Sequence, residues 1–458
     1  MKIKVQKLTI GAVLIAAVSA FLFCSGFTKA SDYGNGENGY LKSATYYSDE
    51  WVINFWNSES SHMEEELKQI AEDGFNSIIL VVPWREFQPS MNPQRYNDYA
   101  WEKLDRVMEA AQRQNLKVML RVGYTWDYYS SDNVLERYEK LLYDDGTKRA
   151  WIQYAKRLYE RAAVHENFCG GFITWEDFWN FAENSVFYGS GLAGRKMASK
   201  CGYTQYVKEH YTLEELEEMY QDTFKTYEDV YLPDSLNTYS RKVFYQFYDD
   251  FLNKILAETQ AVFPDLSMEV RLDIDPVKRP DGTLEGVFHD ATFTCGSSGF
   301  TSAMYSVAMG FESNGQELSA AQALAGTGQN LDRLSAANGG KKLYVDQFLF
   351  TDNTPGFEQN AKLTESEKSA YLDGVADIFK AKTLGYAIWT YRDYGDNKLY
   401  NPQFALDKQG WDFSSGSYIE ERDGNKMAVI PSFGKISQNI KKRSAGGNGK
   451  KAHVRFWL

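Results

Sequence analysis

Two hydrophobic periods alternate along this chain. Short runs of β-branched and leucine residues, apolar at nearly every position, are separated by longer stretches in which apolar residues recur every three or four places. The first pattern predicts strands buried on both faces, and the second predicts amphipathic helices. Residues 51–56 (WVINFW) read as a first strand. Residues 63–73 read as a helix with Met63, Leu67, Ile70 and Ala71 on one face; Ser61 stands where a cap belongs, with Glu64 behind it, and Gly74 ends the helix. A strand over 78–82 follows, then a helix over 99–114 and a strand over 117–122. The next pair is a helix over 149–163 and a strand over 171–175. A long helical insertion, 213–220 and 241–261, precedes a fifth strand over 267–274. Strands over 302–308, 342–348 and 385–391, with helices over 320–337 and 365–381, complete the series.

Eight strands with helices between most of them predict an α/β fold, a closed (β/α)₈ TIM barrel rather than an open doubly wound sheet. No glycine-rich phosphate loop follows the first strand, so the signature of a dinucleotide fold is missing. After Trp411 the pattern changes: 417–420 and 427–430 read as a hairpin around Asp423-Gly424, a small C-terminal β-appendage. The expected organisation is a polar, glycine-rich linker over 31–45, the barrel over 46–411, the appendage over 412–440 and a basic tail over 441–458. Residues 1–30 look like an export signal, with Lys2, Lys4 and Lys7 ahead of an apolar stretch from Leu8 to Cys24 and small residues around Ala30. Its length suits either a cleaved signal peptide or a retained anchor, and the expected location is extracellular or at the cell surface.

Charge and composition narrow the chemistry. A net charge of −12 lacks the basic footprint of a nucleic-acid binder. The tail runs against that balance, with Lys441, Lys442, Arg443, Lys450, Lys451 and Arg455. It reads as a solvated end, or as a segment attracted to an anionic wall or membrane surface. The 31 Tyr, 28 Phe and 11 Trp are core filler for the most part, yet such rings also suit the flat faces of sugars. The 5 His stand at no metal-ligand spacing, so no zinc site is expected, the missing glycine-flanked serine elbow speaks against a serine esterase, and no cofactor is expected. Beyond Cys24, Cys169, Cys201 and Cys295 form no disulfide framework, and Cys169 with Cys201 is an open pairing.

In a (β/α)₈ barrel the site lies at the C-terminal ends of the strands. Those ends collect Trp56, then Trp84, Arg85 and Glu86, then Arg121 and Trp126, then Trp175, Glu176 and Asp177, then Asp273 and Asp275, then Tyr305, then Asp346 and Gln347, then Trp389. Such a rim of aromatic and acidic groups fits glycosidic cleavage. There one carboxyl protonates the leaving oxygen and a second attacks the anomeric carbon or activates water; in retaining enzymes the two sit about 5–5.5 Å apart.

The segments FNSIILVVPWREFQP, KVMLRV, GGFITWEDFW, KKLYVDQF and GYAIWTYRDY resemble clan A glycoside hydrolases, the cellulase, mannanase and β-galactosidase superfamily, from about Trp51 to Trp411. The resemblance implies an acid/base at the end of strand four, a nucleophile at the end of strand seven, an aromatic platform at Trp389 and a tyrosine near the nucleophile, which Tyr305 would supply. It also implies a retaining glycosidase acting on a polysaccharide or oligosaccharide. This chain departs from the pattern at both catalytic motifs. Where the family has Trp-Asn-Glu it has Trp175-Glu176-Asp177, and where the family has Val-x-Glu-Phe it has Val345-Asp346-Gln347-Phe348. A strict match selects Asp177 and Gln347, and an amide cannot act as a carboxylate nucleophile. Strand alternation selects Glu176 and Asp346 instead, unless a bulge shifts the register. Arg121, Asp273 and Asp275 are expected to bind sugar hydroxyls, to orient a catalytic carboxylate or to form a satisfied polar layer. The alternative function is a barrel without a nucleophile that binds glycan, as in exopolysaccharide production.

Overall fold

The computed structural model describes residues 39–438 apart from 49, 51, 60–61, 126–133, 271–274, 288, 290–300, 304–316, 341–342, 349–361, 393–398, 405 and 423–424. Eight parallel strands close into a barrel in sequence order. They are β1 (Leu41–Thr45), β2 (Ser77–Val82), β3 (Lys117–Val122), β4 (Phe168–Thr174), β5 (Leu266–Val270), β6 (Thr301–Ala303), β7 (Leu343–Phe348) and β8 (Thr383–Ile388). Closure is made where Leu41 of β1 lies beside Gly385 of β8 and Ser43 beside Ser77 of β2. Helices α1 (Met63–Glu72), α2 (Asp98–Arg113), α3 (Asp145–Ala162), α4 (Trp175–Asn184), α5 (Ser240–Gln260), α6 (Ala320–Ala337) and α7 (Lys368–Lys382) follow in the connections. The (β/α)₈ expectation holds.

Alternation along each strand separates two layers. On β7, Leu343 and Val345 pack outward on Leu331 and Leu334 of α6 and on Val375 and Phe379 of α7. Tyr344 points inward, into a cluster with Leu41, Ile79, Met119, Phe172 and Ala387.

The first strand is the main correction. WVINFW does not form it: Val52–Phe55 is a single buried helical turn, and β1 lies in LKSAT, inside the stretch read as linker. LKSAT carries little hydrophobic signal because barrel closure, rather than its own apolar content, buries it. Ser43 is wholly enclosed and accepts a hydrogen bond from the Tyr344 hydroxyl at 2.7 Å. Helix α1 starts after His62, which makes no side-chain cap; Ser61, the expected cap, lies outside the described residues.

Cys169 faces the barrel interior and Cys201 ends an outer helix (Leu192–Cys201); both are buried free thiols, so the pairing left open by sequence does not form. Cys295 lies outside the described residues. In the appendage, Tyr418–Arg422 pairs antiparallel with Asn425–Val429, and Asp412–Phe413 with Ile436–Ser437. The leading segment and the basic tail lie outside the described residues, and no described helix is long and apolar enough to cross a membrane.

Candidate functional site at the strand tips

Strand four stops at Thr174. Its hydroxyl oxygen accepts from the Asp177 backbone N–H at 2.9 Å, so Thr174 caps α4, and the chain turns helical at Trp175. Glu176 and Asp177 therefore stand in the first turn of a helix, where strand alternation no longer applies. Arg121, reaching up from β3, fixes both. It donates to Asp177 through Nε (2.9 Å) and Nη2 (3.1 Å), and to Glu176 Oε2 through Nη2 (3.0 Å). The Thr174 hydroxyl donates to Asp177 at 2.8 Å. The side chain of Asp177 is 0% exposed and that of Glu176 is 21% exposed. Glu176 is thus the acid of this pair at the opening, and Asp177 anchors Arg121 below it. Burial pushes the Asp177 carboxyl up to about 6 against the opposing pull of Arg121.

Strand seven carries a bulge. Val345 aligns with Tyr386 and Phe348 with Ile388, so β7 uses one more residue than β8 over this span. Two consecutive side chains, Asp346 and Gln347, consequently belong to the site. Gln347 Nε2 donates to Glu176 Oε2 at 3.2 Å, joining the two strand tips. Asp346 is 1% exposed, and neither of its oxygens has a hydrogen-bond partner among the described residues. Burial holds its carboxyl well above the usual range; Arg121 opposes this, and Glu176 and Asp177 add to it. Burial thus favours the protonated form of Asp346 relative to an ordinary carboxyl.

These carboxyls make stability depend on pH in a defined direction. Unfolded, Asp177 releases its proton near 3.8, whereas folded it does so near 6. Between these values only the folded chain holds the proton, so the stabilisation is complete below 3.8 and is lost as pH rises through 6. The gap corresponds to about 3 kcal/mol. Asp346 acts in the same direction. Urea unfolding midpoints are expected to be higher at pH 5 than at pH 7.5. Asp346→Asn, which keeps the shape and removes the acid, should raise the midpoint at pH 7.5 and weaken the dependence. A midpoint that rises from pH 5 to 7.5 would contradict this assignment.

The expected sugar platforms divide sharply. Trp56 is core: it is fully buried, its indole N–H donates to the Val81 carbonyl at 2.7 Å, and its ring meets Phe87 at 4.7 Å. Trp84 is core as well, bonded to Gln88 at 2.7 Å and packed on Trp151 at 5.2 Å. Trp56 directly follows one short helical turn, and Trp84 opens another, Trp84–Phe87. These turns fold the indoles back into the wall. Trp389, by contrast, follows β8 directly, is only half-buried, and lies 5.7 Å from the Arg121 guanidinium. Trp126, Asp273 and Tyr305 lie outside the described residues, and of Asp275 only the backbone is described, at the start of a hairpin strand.

Sequence reading missed the grip on Trp175. Its backbone N–H donates to Glu269 of β5 at 3.2 Å, and its indole N–H to Asp249 of α5 at 2.7 Å. His289 lies on its ring at 4.2 Å and meets Asp249 at 3.1 Å. Together these contacts set the first turn of α4 and with it Glu176. Glu269 had a signal, an acid two places from Ser267 in an otherwise apolar strand. Asp249 and His289 had none, being 40 residues apart and joined only by the fold.

No protein-family model and no curated protein matches the chain. Solved structures do. A beta-galactosidase from the psychrophilic Marinomonas ef1 superposes with a TM-score of 0.51 at 12% identity, over 77% of this chain and 54% of that one. An exo-beta-1,4-mannosidase from Opitutaceae bacterium strain TAV5 gives 0.47 at 13% identity, over 80% and 55%. The chain thus spans about half the length of these two proteins. The likeness to the beta-galactosidase shows a shared barrel fold.

Proposed function

We propose that this chain holds a glycan across the strand tips of a glycosidase-type barrel, with Glu176 and Gln347 as the polar groups under the sugar and Trp389 as its apolar wall. One observation carries this reading. Glu176 Oε2 receives two N–H donors, from Arg121 at 3.0 Å and Gln347 at 3.2 Å. Two donors on one oxygen favour a carboxylate, which is an acceptor for sugar hydroxyls and not a proton donor. Retaining cleavage needs the reverse: a protonated acid on strand four and an ionised nucleophile on strand seven. Strand seven instead offers an amide beside Glu176 and a buried Asp346 whose surroundings favour its protonated form.

A second reading, a retaining glycosidase acting on a polysaccharide, is favoured by a separate observation. Asp346, Glu176 and Asp177 share one arginine and act on one another electrostatically. A proton passing from Asp346 to Glu176 would leave Glu176 as acid and Asp346 as nucleophile. Under either reading the chain works outside the cytoplasm, at the cell surface or in exopolysaccharide production. The support for that location is the basic and apolar pattern of residues 1–30, with the basic tail suited to a wall or membrane surface.

The test is calorimetric titration of the protein with β-glucan, β-mannan and galactan oligosaccharides. Binding of at least one of them is expected, weakened about tenfold or more in Glu176→Gln, since hydrogen bonds to charged groups contribute about 1.5–3 kcal/mol. If no glycan binds, or if the Glu176 variant binds like the parent, the proposed site is wrong.

A further inference from the structure

A second groove lies away from the strand tips, on the outer wall of the molecule. It has a volume of about 380 Å³ and is formed between the start of α3, the outer helix Tyr203–His210 and the middle of α5. That volume is near the lower end for small-molecule sites. Phe247 and Phe251 form its largely buried floor, and Tyr206 lines it beside them. One face of the Tyr206 ring is covered by His210 at 4.2 Å, and its edge meets Phe247 at 5.5 Å. The ring is therefore held in place before any ligand arrives, while its hydroxyl has no hydrogen-bond partner among the described residues.

The rim is polar and open. Lys148, Lys254, Asp250 and Glu258 line the groove, and among the described residues their side chains form no ion pair or hydrogen bond. Donors and acceptors thus surround a fixed aromatic ring without being used by the protein itself. With Glu209 the groove holds three carboxylates against two lysines, a slight negative excess that disfavours uronates and phosphates. Sugar hydroxyls both donate and accept, and a pyranose ring presents an apolar face to an aromatic one.

We propose that this groove is a second glycan-binding site, selective for a neutral saccharide and separate from the one at the strand tips. It rests on the reading that the chain handles glycans, and it would hold one part of a polysaccharide while another part occupies the barrel mouth. Two linked contacts raise the effective concentration of the second, so affinity is expected to climb with chain length once an oligosaccharide spans both sites.

The experiment titrates the full chain with neutral gluco-, manno- and galacto-oligosaccharides and with oligogalacturonate, in the parent and in Tyr206→Ala, Tyr206→Phe and Glu176→Gln. Two sites are expected on the parent for a neutral oligosaccharide. Tyr206→Ala should weaken one at least about tenfold and leave the Glu176-sensitive site unchanged. Tyr206→Phe, which keeps the packed ring, should show a smaller loss from the missing hydroxyl. A single site abolished by Glu176→Gln and untouched by Tyr206→Ala would overturn the groove and leave the barrel mouth standing. A Tyr206-sensitive site that survives alone would support the groove and remove the mouth. Tighter binding of oligogalacturonate at the Tyr206 site would overturn its assignment to neutral sugar, and no glycan binding at all would overturn both sites.

Discussion

Arg121→Ala is expected to destabilise the fold by about 3–5 kcal/mol, the loss typical of breaking a buried ion pair from one side. Asp177 is wholly enclosed, and among the described residues the hydrogen bonds to its carboxylate come from Arg121 and Thr174. Without the guanidinium, Asp177 must take a proton or carry an uncompensated charge, and Glu176 loses the donor that fixes it over the opening. Urea unfolding at pH 7 measures the first effect. Lysine should not rescue it, because the guanidinium serves two carboxylates through a planar fork that an ammonium cannot reproduce. Adding Asp177→Asn should recover part of the loss, since it removes the charge left behind. A change below about 1 kcal/mol in Arg121→Ala would mean that the cluster is more open to water than its burial indicates.

Trp84→Ala is expected to be as damaging, by about 3–5 kcal/mol, from the cavity left among Tyr138, Trp151 and Tyr154. The protein that remains folded should bind glycan as the parent does. Trp389→Ala should do the opposite, with a small effect on stability and weakened binding, because its ring is half-buried beside Arg121. Thermal melts and titrations on the two variants separate these roles. If Trp84→Ala stays stable but loses glycan, Trp84 is a platform after all and its packing has been misjudged.

The sequence made the barrel legible wherever a strand is enclosed by helices, because such strands are mostly apolar runs: SIILVV and KVMLRV are plain in the text. It hid β1, whose inward Ser43 is accommodated by a hydrogen bond from Tyr344 across the barrel. The site was legible as a set of residue types but not as an arrangement. Strand alternation ends at Thr174, which caps a helix, so it does not divide roles between Glu176 and Asp177. On β7 a bulge brings both Asp346 and Gln347 into the site, so alternation along the strand does not choose between them. Trp56 and Trp84 were misplaced for a related reason: short helical turns at the strand ends redirect the indoles, and turn geometry there leaves little trace in hydrophobic pattern.

The decisive measurement is product analysis. The parent protein and Asp346→Asn are incubated with the oligosaccharides that bind, and reducing ends and anomeric configuration are followed over time. With Glu176 accepting from both Arg121 and Gln347, and burial favouring the protonated form of Asp346, saturable binding without release of reducing ends is expected in both proteins. Release with retained configuration in the parent, abolished in Asp346→Asn while binding persists, would show that Asp346 is the nucleophile and that this barrel cleaves the glycan it holds.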